Sequence, residues 1–323
     1  MFNKPSATAF LIAMFASFSV AAQKQLADAV TDSDYKHAFT PLDQQHGTRV
    51  LIDRFHQTIY TNDEGTTGAE VMLEIMERDG FDTGFADTPL TSASLQNADI
   101  LIIHGLPNER VELASGETFH HSPLSAEEVE AIVRFVDEGG GLYLSLSHFP
   151  GGSGAAPLLN AFSVKFRDGY IYSKAYPSFT DHENGRCSHY FGMSRGDDTL
   201  NADHPMIKNG LPVERIDYHC GAAIFRNPED AVLPFPKGSE NHIDGTLNTE
   251  HVIYETSDSY AGMIGFNFGK GKVVAAADQG MFRNFIFTFD TDERVYVTIT
   301  SPDNDNANLF VNMMRWLSPK IGE

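Results

Sequence analysis

Between residues 49 and 146 the apolar residues switch repeatedly between strand and helix spacing, and that alternation restricts the chain to a small set of folds. Arg49-Val50-Leu51-Ile52-Asp53 is a short apolar run of strand length. From Gly68 to Arg78 the spacing is helical, with Val71, Met72, Ile75 and Met76 on one side and Gly80 as the stop. Phe81 to Phe85 reads as a second strand. Ile100-Leu101-Ile102-Ile103 has no polar residue to turn toward water, which predicts a strand covered on both faces. Ser125 with Glu128 three residues later is a capping box, and Val129, Ile132, Val133 and Val136 form the stripe of the helix it opens. Gly139-Gly140-Gly141 closes that helix before the strand Leu142–Leu146. Strands alternating with helices predict right-handed crossovers and a parallel sheet with helices on both faces, a flavodoxin-like three-layer α/β fold.

The rhythm fails over residues 165–245, a stretch rich in Tyr, His, Asn, Asp, Gly and Pro, which reads as an irregular, lid-like insertion. It returns at Ala261–Phe266 and Lys272–Ala277, two runs joined by Gly269-Lys270-Gly271 and so predicted to form a β-hairpin. A second late hairpin is predicted from Phe285, Phe287 and Phe289 facing Val295, Val297 and Ile299. Asn308–Leu317 is a closing helix with Leu309, Phe310, Met313 and Trp316 inward.

The N-terminus has the layout of a secretory signal: Lys4, an apolar run from Ala7 to Val20, then small residues at Val20-Ala21-Ala22, with cleavage expected after Ala22. The run is diluted by Thr8, Ser17 and Ser19 and falls short of the roughly 20 apolar residues of a membrane span, so no membrane insertion is expected once the signal is removed. Residues 23–45 are polar and without period, a mobile lead-in to a domain over 46–323. The expected location is the periplasm or beyond. Acidic residues outnumber basic ones 44 to 23, a net charge of -21, which repels phosphate backbones and anionic lipid and excludes nucleic acid as a main partner. Cys187 and Cys220 are the only cysteines. An oxidising compartment is compatible with one disulfide between them, and the sequence leaves that pairing open.

Four stretches together resemble a known superfamily. They are Val50–Asp53 with its helix; Pro123-Leu124-Ser125 through Gly141 into Ser147-His148-Phe149-Pro150; Asp203-His204-Pro205-Met206-Ile207 with Gly210-Leu211; and Gly269–Asp278 followed by Asn306-Ala307-Asn308 and the helix ending in Trp316-Leu317. In order and spacing they resemble the non-classical branch of the class I glutamine-amidotransferase-like superfamily. That branch includes exported bacterial proteins and the domain shared by gliding-motility and intraflagellar-transport proteins. The resemblance covers most of the chain from about residue 46. Classical members place a nucleophilic Cys in Gly-x-Cys-x-Gly after a strand. Here the strand Leu142–Leu146 runs into Ser147-His148, with no Cys, so the resemblance implies the fold without thiolate glutamine hydrolysis.

In a parallel sheet, ligands bind beyond the carboxyl ends of the strands. The residues there are Asp53 and His56, His104, Ser147 and His148, and Asp278. One reading makes Ser147 a nucleophile with a histidine as base, His104 or His204 being better placed than the adjacent His148. The opposing reading is that Ser147 bonds a turn, His204-Pro205 is a turn, and Asp278 stabilises Gln279-Gly280. A metal site is a weaker alternative, because the 13 histidines show no ligand spacing, and neither a metal nor a cofactor is expected. A third reading is a small polar ligand held by residues of the Tyr-rich insertion (Tyr170, Tyr172, Tyr176, Tyr190). The favoured expectation is a catalytically degenerate binding or accessory protein, with Asp53, His56, His204 and Asp278 as ligand-binding candidates. A hydrolase using Ser147 or a His/Asp-bound metal is the alternative.

Overall fold

The βα alternation read from residues 49–146 is present in the computed structural model, which describes residues 26–32, 34–42, 46–56, 58, 68–116, 118–148, 151–167, 169–173, 190–219, 221–242, 252–253, 260–289, 294–296 and 298–321. The stretch expected to be a mobile lead-in holds a first strand, β1 (Leu26–Thr31). The alternating segment follows as β2 (Arg49–Asp53), α1 (Glu70–Arg78), β3 (Asp82–Ala86), α2 (Ser92–Leu95) and β4 (Ile100–His104). After a small hairpin, β5 (Glu109–Glu112) and β6 (Thr118–His121), come α3 (Ala126–Asp137), β7 (Gly141–Ser145) and α4 (Ala156–Ala161). Ser125 caps α3: its side chain accepts from the Glu128 N–H at 3.2 Å while Glu128 accepts from the Ser125 N–H at 3.0 Å. Such a cap contributes about 1 kcal/mol.

Residues 165–242 carry short strands: β8 (Lys165–Arg167), β9 (Tyr170–Tyr172), β10 (Tyr190–Ser194), β11 (Arg215–His219), β12 (Ala223–Phe225), β13 (Ala231–Pro234) and β14 (Glu240–His242), with α5 (Pro205–Lys208) among them. The chain ends in β15 (Val252–Ile253), β16 (Ala261–Phe268), β17 (Gly271–Ala276), β18 (Phe285–Phe289), β19 (Arg294–Tyr296) and α6 (Asn306–Leu317). Both late hairpins form, the second with a shorter return strand than expected, since Ile299 lies in a 3-10 turn and Val297 falls outside the described residues. Phe268 pairs with Gly271 across a turn in which Gly269 has φ +57°, and β18 pairs antiparallel with β19. The polar lead-in strand β1 pairs antiparallel with the other edge of β18.

The main sheet runs β3-β2-β4-β7-β17-β16-β12-β8, with β13 also on β16. From β3 to β17 every neighbouring pair is parallel, and the registers are level: Val50 faces Ile100, Ile100 faces Gly141, and Gly141 faces Lys272. Beyond β17 the pairings are antiparallel.

Helices cover both faces. Ile52, Ile102, Tyr143 and Val274 pack with Val71, Met72, Ile75 and Met76 of α1 and Leu309, Phe310 and Met313 of α6. Leu101, Ile103, Leu142, Leu144 and Val273 pack with Ala131, Ile132 and Val136 of α3 and Leu158 and Leu159 of α4. This double burial explains why the β4 and β7 sequences lack polar alternation. The described part of the expected insertion is packed onto the sheet rather than hung over it. β8, β12 and β13 extend the sheet, and Phe191, Met193, Ile216 and Tyr218 of β10 and β11 join the α6-side core.

Candidate functional site

Level registers among β2, β4, β7 and β17 place their carboxyl ends in a row: Asp53, His104, Ser145 and Ala276, the last followed by Ala277 and Asp278. Because successive side chains of a strand point to opposite faces, that row divides. Asp53 is level with Ala86, which belongs to the α3-side core. His104 is level with Ser145, and Ser145 with Ala276 of the α6-side core. The predicted site residues therefore form two buried clusters on opposite faces and a more exposed group at the rim between them.

On the α3 side, His56 bridges two carboxylates. Its Nδ1 donates to Asp53 at 3.0 Å and its Nε2 to Glu128 at 2.9 Å. All three are buried, at 4%, 0% and 6% exposure. Glu128 also accepts from the Leu90 N–H at 2.9 Å, and Asp53 from the Phe55 N–H at 3.1 Å. Burial pushes the His56 imidazole toward its neutral form, but the bonds and charges of Asp53 and Glu128 outweigh that and raise its pKa above the usual histidine value. Burial pushes the Glu128 carboxyl up, and the N–H groups of Ser125 and Leu90 outweigh it and bring it below the usual glutamate value. Both nitrogens of His56 are taken, so its ring has no lone pair to offer a metal. Among the described residues no group of His, Cys, Asp and Glu is arranged to hold a metal ion. The sequence reading found Asp53 and His56 but missed Glu128, whose role as helix cap hid its second bond.

On the α6 side, His104 is 1% exposed and its Nε2 donates to the Gln279 carbonyl at 2.9 Å. Burial, reinforced by the positive charge of Arg283, lowers its pKa to about 3, so it is neutral at any physiological pH. Asp278 is 2% exposed, and its carboxylate accepts from the His219 N–H at 2.7 Å and the Gly280 N–H at 2.8 Å. Burial raises its pKa to about 7 despite those donors. Asp278 thus joins the end of β11 to the turn after β17. Tyr143 and Tyr218 lie near enough that its charge adds to burial in raising both phenols.

The rim is built from the loops after β4, β7 and β17. Ser147 and His148 are half-buried there, and the His148 ring stacks on Tyr170 with centroids 4.3 Å apart and 20° between planes. The side chain of Gln279 lies across the rim. A Cβ on Gly105 would collide with its amide, and one on Gly151 would meet its Oε1 at 3.5 Å and the Ser147 Cβ at 3.1 Å. Gly105 has φ +86°, a conformation that costs a side chain dearly. Ser147 itself is not among the described residues with positive φ, so it lacks the strained turn that presents a nucleophile in hydrolase elbows. Gln279 was named in the sequence only as part of a turn; its position as the second residue past Ala277 was the available signal.

His204 lies elsewhere. It caps α5, accepting from the Met206 N–H at 3.3 Å through Nδ1 and donating to the Gly265 carbonyl at 3.2 Å through Nε2. Gly265 pairs with Val274 in mid-sheet, so His204 does not reach the strand tips. Burial lowers its pKa, consistent with that neutral tautomer. Cys187, Cys220 and Tyr176 fall outside the described residues.

No family model matches the chain, and no curated protein matches it. Among solved structures, the N-terminal domain of mmIFT52 superposes with a TM-score of 0.53 over 84% of this chain and 97% of that one, at 15% identity. A ThuA-like protein from Bacteroides uniformis covers 87% of this chain and 95% of its own at 11% identity, with a TM-score of 0.41. A ThuA-like protein from Parabacteroides merdae covers 85% and 91% at 13% identity, also with a TM-score of 0.41. The first of these likenesses places the chain in the fold that the intraflagellar-transport resemblance implies.

Proposed function

We propose that the protein is an exported, catalytically degenerate member of the amidotransferase-like group that binds a small polar ligand at the rim formed by Ser147, His148, Tyr170 and Gln279. The observation that carries this reading is the condition of His104. A general base needs a pKa near the working pH and a path to the proton it takes. His104 is held near 3 by burial, and its Nε2 is committed to the Gln279 carbonyl. Asp278, raised to about 7, is buried and its carboxylate is taken up by backbone N–H groups, so it and His104 hold loops together. The rim then offers hydroxyl, amide and ring surfaces, which suits recognition by hydrogen bonds and stacking.

The test pairs binding with turnover. Purified protein is screened by thermal shift against monosaccharides, disaccharides and short peptides, and each hit is repeated with Gln279→Ala and Tyr170→Ala. A stabilising ligand that is recovered unchanged, and whose effect both variants abolish, supports the reading. Labelling of Ser147 by a fluorophosphonate, or conversion of the hit, replaces it with a hydrolase. Export is checked separately by sequencing the N-terminus of the mature protein, which should begin at Gln23.

A further inference from the structure

At the amino ends of β4 and β7, the end of the sheet opposite the rim, a cavity of about 600 Å³ is lined by residues of α2 and α3. Part of its lining is apolar. Leu95 and Ala131 are buried there, and the Phe135 ring lies so close on the Gly140 backbone that a Cβ at that position would collide with it. Three charged groups complete it. Asp99 is compensated, because its Oδ2 accepts from the Lys320 ammonium at 2.6 Å and from the Arg49 N–H at 2.7 Å. Arg134 and Glu138 are exposed and sit four residues apart on the last turn of α3, yet neither side chain forms an ion pair or a hydrogen bond with the other or with any other described residue. Arg134 precedes Glu138, the weaker order for a pair at that spacing. The cavity therefore presents one guanidinium and one carboxylate, both uncommitted, beside an aromatic face.

We infer that this cavity binds a small zwitterion, a free amino acid or dipeptide with an apolar side chain, its carboxylate on Arg134, its ammonium on Glu138 and its side chain against Phe135. A guanidinium fork matches a carboxylate with two parallel hydrogen bonds, and a carboxylate accepts well from an ammonium. Arg134 and Glu138 are separated by about 6 Å of helix rise, a span the two ends of such a ligand bridge. The volume lies within the range of roughly 300–1,000 Å³ typical of small-molecule sites. Net charge favours a zwitterion over a simple acid: a chain at -21 repels an anion at long range and leaves a ligand of zero net charge unaffected. The site shares no residue with the rim.

Calorimetric titration of the full protein with L-phenylalanine and, separately, with the dipeptide Leu-Phe should give a saturable heat for at least one, and the stronger of the two sets the length of the ligand. Removing either charge from that ligand, as its N-acetyl or its amide form, should weaken it roughly tenfold or more, the difference a charged hydrogen bond makes. Arg134→Gln should weaken the zwitterion by a similar factor and leave the amide form unchanged, and Glu138→Gln should do the same with respect to the N-acetyl form. Tyr170→Ala, at the rim, should leave the zwitterion's affinity intact. The inference is overturned by no saturable heat from either probe, by blocked forms that bind as well as the zwitterion, by folded Arg134→Gln and Glu138→Gln that keep full affinity, or by loss of binding in Tyr170→Ala. Both α3 variants change exposed side chains and should melt like the natural protein; should either fail to fold, the blocked forms on the natural protein decide.

Discussion

Replacing His56 by Ala removes one cation from between two buried carboxylates, and the cost can be worked from the geometry. The imidazolium lies within 3.0 Å of Asp53 and 2.9 Å of Glu128, and none of the three side chains is more than 8% exposed. With charge centres about 4 Å apart and an effective dielectric near 20, each attraction is about 4 kcal/mol. Desolvation offsets much of that in the intact bridge. Removing the central partner, however, leaves both carboxylates buried and facing each other, and breaking a buried pair in this way costs about 3–5 kcal/mol. The sign of the pH dependence follows from the two shifts. His56 has a raised pKa, so its contribution is complete below the unfolded value of about 6.5 and is lost as pH rises through the folded one. Glu128 has a lowered pKa, so its contribution is present above the unfolded value of about 4.3 and is lost as pH falls through the folded one. The penalty of His56→Ala should therefore be largest between about pH 5 and 6.5 and shrink on either side. Urea unfolding of both proteins at a series of pH values measures it. A penalty of about 1 kcal/mol or less near pH 6, or one that does not diminish by about pH 9, refutes a charged bridge.

Three further outcomes are expected. Asp278 should titrate near 7, seen as a carboxyl ¹³C shift absent in Asp278→Ser; as a group with a raised pKa, its contribution to stability is fully present below about 4 and lost as pH rises toward 7. Ser125→Ala should cost about 1 kcal/mol in urea unfolding, because Glu128 keeps its bonds to Leu90 and His56 while the α3 N-cap is lost. Gly105→Ala should cost about 1–3 kcal/mol, since φ +86° disfavours a side chain and the new methyl collides with the Gln279 amide. It should also abolish whatever thermal shift a rim ligand produces, which a merely strained turn remote from the rim would leave intact.

The parallel half of the sheet was legible because its signals are local. Ile100–Ile103 announces burial on both faces by composition alone, and Ser125 with Glu128 marks a helix start within four residues. The stretch from 165 to 242 was not, because its strands are three to five residues long, as at β8, β9 and β12. A period of two has no room to show itself in so few positions. Strand β1 was missed for a different reason: Leu26–Thr31 is polar enough to read as loop, and its order comes from pairing with β18 some 260 positions later, a partner invisible in the local pattern. For the site, topology predicted which residues reach the strand tips. It did not predict on which face each would emerge, since that depends on registers such as Asp53 with Ala86 and His104 with Ser145.

That division by face argues for what the fold has done with its polar residues. In an active hydrolase the nucleophile, base and orienting acid must share one side of the rim, with the base reachable from solvent. Here Asp53, His56, His104 and Asp278 are drawn below the rim on both faces, while His148 stands at the rim with its ring stacked on Tyr170. Asp53 and His56 tie the tip of β2 to the start of α3 through Glu128. Asp278 and His104 tie the turn after β17 to the ends of β11 and β4. The second tie fixes loops that build the rim, and the groups at the rim itself are a hydroxyl, an amide and the His148 imidazole stacked on Tyr170. On the proposed reading these ties hold the scaffold beneath the binding rim and keep Asp53, His56, His104 and Asp278 out of proton transfer there. Ser147→Cys alone is therefore expected to yield no glutaminase activity, and a measurable rate from that single change would mean that His148 at the rim, or a histidine drawn below it, acts as the base.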